Sequence, residues 1–326
     1  MTDTQGPIRK ARYFDAGGSG AVLGAAAGEV LAAGRERVYG FLTQINVLTA
    51  YHLLRHGTID SVRLGQEFVA LAYPDAGLDV YRAAAPWFRT WLEQHRQGWS
   101  GPQPFENAGA AARMIPIGVW FRKDPAALVE QAIRGAMITH NQAGAVVAAC
   151  SLAGAIAGAS FGQSGRDLVY GAAEVAKRAE ARVGDLAETV ASPDGSPPLS
   201  LLLRHAAQLV GRPSREIGDQ VRSWTPDAGA VAGVITATVL GAPILERPSI
   251  GVREAVAVGF EPREIAVMAG AIVGARVGPH RWPWRIVNDL WFAELGRRLA
   301  SNDGHFEDLP DAYAVEEVLT FAAQTA

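Results

Sequence analysis

The chain has 326 residues, 49% of them hydrophobic and only 19% charged, with a formal net charge of −3 and a single cysteine. A chain of this length can bury roughly 75% of its unfolded surface, and no composition shift divides it, so one large domain over 17–326 is expected behind an N-terminal segment, 1–16. The charge balance gives no basic face for a phosphate backbone, which argues against DNA or RNA as a partner, and one thiol excludes an internal disulfide.

Residues 1–15 contain no apolar stretch of the secretory type, and the expected compartment is the cytoplasm. The run from Gly20 to Val38 is rich in alanine and glycine and reads as a helix. A second helix is expected from Gly40 to Thr58, opening on Phe41-Leu42-Thr43-Gln44. Asp124-Pro125 is an aspartate cap followed by proline at the first helical position, which predicts a helix over 126–138. The stretch 146–161 has about the length of a membrane span. It holds little of the leucine, isoleucine and phenylalanine that insertion favours, so it reads as a buried central helix and no membrane partner is expected. Cys150, inside it, reads as a small core residue rather than a nucleophile, because apolar burial raises a thiol's pKa.

Further on, 191–199 is rich in proline, glycine and serine and reads as an exposed loop. Thr225-Pro226-Asp227 introduces a helix over 228–239. Pro262-Arg263-Glu264 opens another that runs through Gly274, proline being tolerated in a first turn. Ala269-Gly270-Ala271 and Gly274-Ala275 let neighbouring backbones approach closely. No β alternation, heptad run or repeat emerges, and the fold class is all-α: a compact multi-helix orthogonal bundle.

Several stretches carry a more specific pattern. Gly24 to Val38, with Glu29 and Glu36, is similar to a GAAIGDALGAPVEF block. Gly40 to Asn46 followed by VLTAYHLL is similar to TDDTQM followed by LALAESLL, with Thr43 and Gln44 matched and Phe41 and Leu42 in place of both aspartates. Asn107 to Gly118 is similar to GNGAAMRIAPLG, Thr139-His140 to a TH dipeptide, and Gly259 to Gly274 to GGDTDTIAAIAGAIAG. In this order the blocks resemble the ADP-ribosylglycohydrolase family. The resemblance implies an all-α hydrolase that cleaves ADP-ribose from modified side chains and related compounds at a dinuclear magnesium site. In the last block Glu261 takes the first aspartate position, while Pro262, Arg263 and Glu264 replace Thr-Asp-Thr.

Those replacements bear on the metal. Magnesium takes about six oxygen ligands near 2.1 Å; phenylalanine and leucine side chains offer none, and arginine has no acceptor. The expectation is that the family's magnesium site is lost, with no metal or other cofactor held. Glu36 and Glu261 remain as a candidate carboxylate pair, since glycosidic bonds can be cleaved by two carboxyl groups without metal; His140 is a third acid–base candidate. On the bland reading Glu36 is solvated between Arg35 and Arg37, Glu261 complements a helix dipole, and His140 is structural. Candidate ligand-binding residues implied by the matched blocks are Thr43, Gln44, Asn107, Gly109, Arg113 and Arg263. Trp282, Trp284, Trp291 and Phe292 can stack on a base or close an oligomer interface, core or terminal-helix packing being the bland reading. Three functions follow: a binder of ADP-ribose or another nucleotide-like or glycoside ligand without conventional magnesium-dependent hydrolysis; a metal-independent enzyme on a glycosidic bond; or a helical scaffold with a filled cleft. The oligomeric state is not legible.

Overall fold

Proline and aspartate punctuation divides the polypeptide into many short helices arranged around a few apolar ones. The computed structural model describes residues 6–34, 38–72, 80–98, 101–186, 197–225, 229–244, 248–282, 286–302 and 304–325, side chains excepted at 6–15, 281 and 320–325. The first half contains α1 (Gly6–Ala33), α2 (Phe41–His56), α3 (Ser61–Ala72), α4 (Pro86–Arg96), α5 (Gly109–Ala112), α6 (Ile115–Trp120), α7 (Pro125–Ala136) and α8 (Ala143–Ser160). The second half contains α9 (Gly165–Gly184), α10 (Leu199–Ala206), α11 (Ser214–Trp224), α12 (Ala230–Gly241), α13 (Pro248–Ala257), α14 (Pro262–Val277), α15 (Asp289–Ser301) and α16 (Ala312–Thr325). Among the described residues the only extended pairing is an isolated bridge between Gln103 and His140. The all-α class is as expected.

Local chemistry sets the helix ends. The Asp124 carboxylate accepts the N–H groups of Ala126 and Ala127 with Pro125 at the first position of α7, which satisfies donors that a helix leaves open. Pro262 opens α14, which continues to Val277. The helix expected over 228–239 is α12, with 226–228 outside the described residues. The boundary expected at residue 17 falls within α1, which begins at Gly6. Most of the loop expected at 191–199 lies outside the described residues, and Leu199 already begins α10.

Glycines on α1 face α14 at backbone distance. A Cβ on Gly20 would collide with the Gly274 carbonyl, and one on Gly274 with that of Gly20, so this crossing admits no side chain at either position. Two helices, Ala16–Ala33 within α1 and Ala143–Ser160, are long and apolar enough to cross a membrane by length and composition. Both windows are mostly buried inside the protein, as core helices are. Cys150 is fully buried in α8, and burial pushes its thiol well above the ordinary range.

A polar knot ties α16 to the start of α2. Glu316, 1% exposed, pairs with Arg82 at 2.6 Å and accepts hydrogen bonds from the Tyr39 hydroxyl and the Gln44 amide, both at 2.9 Å. Gln44 also donates to the Val80 carbonyl and accepts the Arg82 N–H. Buried charge is tolerated when it is both paired and hydrogen-bonded, and these contacts fix the 80–85 segment beside α2.

Candidate functional site

The matched sequence blocks converge on the N-termini of α2 and α14. At α2, the Phe41 N–H donates to the Arg82 carbonyl at 2.9 Å. The Leu42 and Thr43 N–H groups donate to the two carboxylate oxygens of Glu29, at 3.2 and 2.9 Å. Glu29 projects from α1 and is fully buried, so it caps α2 from outside and occupies the donors that a helix N-terminus otherwise turns toward a ligand. Gly40 permits this approach: a Cβ there would sit 2.6 Å from Glu29 Oε1.

Phe41 and Leu42 are fully buried. The Phe41 ring stacks on Phe88, with centroids 5.4 Å apart, and meets the edge of Trp87 at 6.0 Å. The Arg263 guanidinium lies 5.8 Å from the Phe41 ring centroid, and its Nη1 donates to the Ala83 carbonyl. Ala83 and Glu261 both have left-handed backbones, with φ of 53° and 38°, a conformation that costs an ordinary residue roughly 1–2 kcal/mol. Two such residues at one place mark stored strain of the sort found at functional sites.

Glu261 precedes α14, and its Oε2 accepts the Ala108 N–H at 3.0 Å. Burial, reinforced by the nearby Glu264 carboxylate and opposed by the Ala108 N–H, pushes its pKa up to about 8. Glu264 is also raised, mainly by burial, with Glu29 adding to the shift and Arg263 opposing it. Three carboxyl groups and one guanidinium therefore share this corner. Glu29 and Glu264 lie in the matched blocks, but their sequence context assigned them no role. Their signal was position: Glu29 stands on a family aspartate, and Glu264 stands in the first turn of α14 within the last matched block.

Asn107, His140 and Trp87 form the adjoining wall. Asn107 Oδ1 accepts the Gly109 N–H at 2.9 Å and lies 3.2 Å from His140 Nε2. His140 Nδ1 lies 2.6 Å from the Thr139 hydroxyl. These contacts are consistent with Nε2–H donating to Asn107 and Nδ1 accepting from Thr139. His140 is fully buried, and burial, followed by the Arg113 charge, holds its pKa well below the ordinary range. It packs edge-on to Trp87 and Phe105, at 5.0 and 5.4 Å between centroids.

Several expected ligand contacts are instead engaged in the core. Arg113 is 1% exposed and donates to the Gly135 and Ala136 carbonyls at 2.7 and 2.8 Å; burial lowers its pKa to about 9. Gln44 is held by Glu316, Val80 and Arg82. A Cβ on Gly109 would strike the Trp87 ring, so this glycine makes room for Trp87. Thr43 is buried, with its N–H on Glu29 and its hydroxyl without a partner among the described residues. Asn107, Glu261 and Arg263 are half-buried and stand together around Ala108 and Phe41. Glu36 and Trp284 lie outside the described residues. Trp291 donates to the Tyr51 hydroxyl and Phe292 packs on Tyr39, which places both in the α15 packing. A separate cavity of about 280 Å³, lined by Gln142, Glu180, Leu199 and Val231 among others, opens elsewhere, beside α8, α9, α10 and α12.

Comparison with known proteins bears on the fold and the family. A solved structure described as an ADP-ribosylglycohydrolase-related protein complex superposes with a TM-score of 0.62 at 18% identity, covering 89% of this chain and 99% of its own. That likeness is one of fold. No curated protein matches the sequence. The family model for ADP-ribosylglycohydrolase matches residues 18–308, a span that holds every block quoted above, and the chain belongs to the ADP-ribosylglycohydrolase family.

Proposed function

We propose that this chain binds ADP-ribose or a related nucleotide-like ligand without conventional magnesium-dependent hydrolysis, the family's dinuclear metal site having been replaced by protein groups. The observation that carries the reading is the pairing of a buried Phe41 ring with the Arg263 guanidinium at the two metal-bearing blocks. The donor set does not fit magnesium, which needs about six oxygens. Phe41 and Leu42 supply none, each Glu29 oxygen already accepts one backbone N–H group, and the remaining carboxyls, Glu261 and Glu264, are held toward the protonated form by burial. A divalent ion beside Arg263 would be repelled: two unit charges 4 Å apart cost about 4 kcal/mol at an effective dielectric of 20. Arg263 supplies fixed positive charge in its place, next to Glu264. Its side chain makes one hydrogen bond among the described residues, so donors remain for a phosphate. Half-buried Trp87 and Phe105, with ring centroids 5.9 Å apart, offer faces for a base.

One observation favours a second reading, metal-independent cleavage of a glycosidic bond. With a pKa near 8, Glu261 is protonated at neutral pH and so able to act as a general acid toward a leaving group. In this reading Glu36 is the candidate partner carboxylate and buried His140 orients Asn107. The full burial of Phe41 and Leu42 is what a filled scaffold would also produce.

Calorimetric titration of ADP-ribose into chelator-treated protein separates the three. Binding that magnesium leaves unchanged, that weakens roughly tenfold or more in Arg263→Ala, and that yields no product is the expected outcome. Magnesium-independent product would select the acid–base reading, and absence of binding would select the scaffold.

A further inference from the structure

We infer that α2 and α3 carry a binding site for a divalent transition metal of the zinc type, formed by His52, His56 and Glu67. His52 and His56 are one turn apart and share a face of α2, with ring centroids 4.7 Å apart. Glu67 on α3 brings both carboxylate oxygens to 3.2 Å from His52 Nδ1. One ligand atom from each residue belongs to a group in which every separation is within 4.8 Å. Ligands on a tetrahedral zinc at about 2.0–2.1 Å stand roughly 3.3 Å from one another, so side-chain rotations without backbone movement bring the three into range.

A second observation points to a ligand. His56 is half-buried, its Nε2 atom is buried with no hydrogen-bond partner among the described residues, and a buried polar atom left unpaired is a cost that coordination removes. Two imidazoles and one carboxylate form a set suited to zinc, cobalt or nickel rather than to magnesium, and three protein ligands leave a fourth position for water. The site also carries a cost. His52 Nε2 accepts the Asp60 N–H at 3.2 Å, which places the ring proton on Nδ1, toward Glu67. Metal coordination at Nδ1 moves that proton to Nε2 with no net release, and the long contact from Asp60 is given up. Only a metal with a strong bond to imidazole can drive that exchange.

None of the three residues stands at a position matched to a family aspartate, so failure of this test and failure of the proposed function are read separately. Chelator-treated protein is titrated with Zn²⁺ by calorimetry and with Co²⁺ by visible absorption, in the wild type, His56→Gln, Glu67→Gln and His205→Gln, the last an exposed histidine on α10. The expected result is one metal per chain, a tetrahedral cobalt spectrum, and a zinc-dependent rise in melting temperature. His56→Gln and Glu67→Gln each weaken binding roughly tenfold or more, while His205→Gln behaves as wild type. Melting without metal verifies that each variant is folded. Absence of zinc binding, an octahedral cobalt spectrum, or binding that survives both His56→Gln and Glu67→Gln would overturn the assignment.

Discussion

At Glu261, burial changes the chemistry of a carboxyl group at the candidate site. Its pKa is raised from 4.5 to about 8, so between these values the folded protein holds a proton that the unfolded chain has released. Stability from this group is full below pH 4.5 and falls as pH rises toward 8, by up to about 1.4 kcal/mol per pH unit. Glu261→Gln keeps an acceptor for the Ala108 N–H and removes the ionisation. The variant should therefore gain stability relative to wild type at pH 9 but not at pH 4, as read by denaturant midpoints at both values. An equal difference at the two pH values would contradict the raised pKa. Single positions were also where the sequence spoke unevenly. Phe41 and Arg263 were legible as side chains that offer a cation no oxygen, because residue type alone decides that wherever they sit. Glu29 and Gln44 were not legible in role, because their positions depend on partners brought together only by folding: backbone amides 13 and 14 residues away, and a carboxylate 272 residues away.

Helix ends were the most legible elements. Asp124-Pro125 and Pro262 set the starts of α7 and α14 through local chemistry that needs no tertiary context. The long-range docking of α16 onto α2 had no such signal. Its anchor is Glu316, whose carboxyl pKa is raised by burial and pulled back by Arg82. Removing one member of a buried pair leaves the other uncompensated, so Glu316→Ala should destabilise the protein by about 3–5 kcal/mol. Replacing the pair together, as Arg82→Met with Glu316→Leu, should cost much less. A urea denaturation series on the three proteins checks both statements. Equal losses in the single and double variants would mean that packing, rather than the ion pair, holds α16.

Across the whole molecule, the helices keep the family's frame, and under the proposed reading the polar corner between α1, α2 and α14 is rebuilt. The frame depends on small residues, such as Gly20 against Gly274, and these were visible as alanine and glycine runs. The rebuilt corner joins a capped helix N-terminus, a buried aromatic ring and an arginine, with strained backbone at Ala83 and Glu261. Neither the strain nor the crowding of Glu261, Glu264 and Glu29 follows from residue type alone, since each arises where three separate segments meet. Under the proposed function, this corner no longer performs magnesium chemistry. The most direct measurement is the release of ADP-ribose from an arginine-ADP-ribosylated peptide, followed by chromatography at saturating magnesium and again in chelator. We predict no magnesium-dependent release; turnover that appears with magnesium and vanishes on chelation would mean that the corner still holds a working metal site.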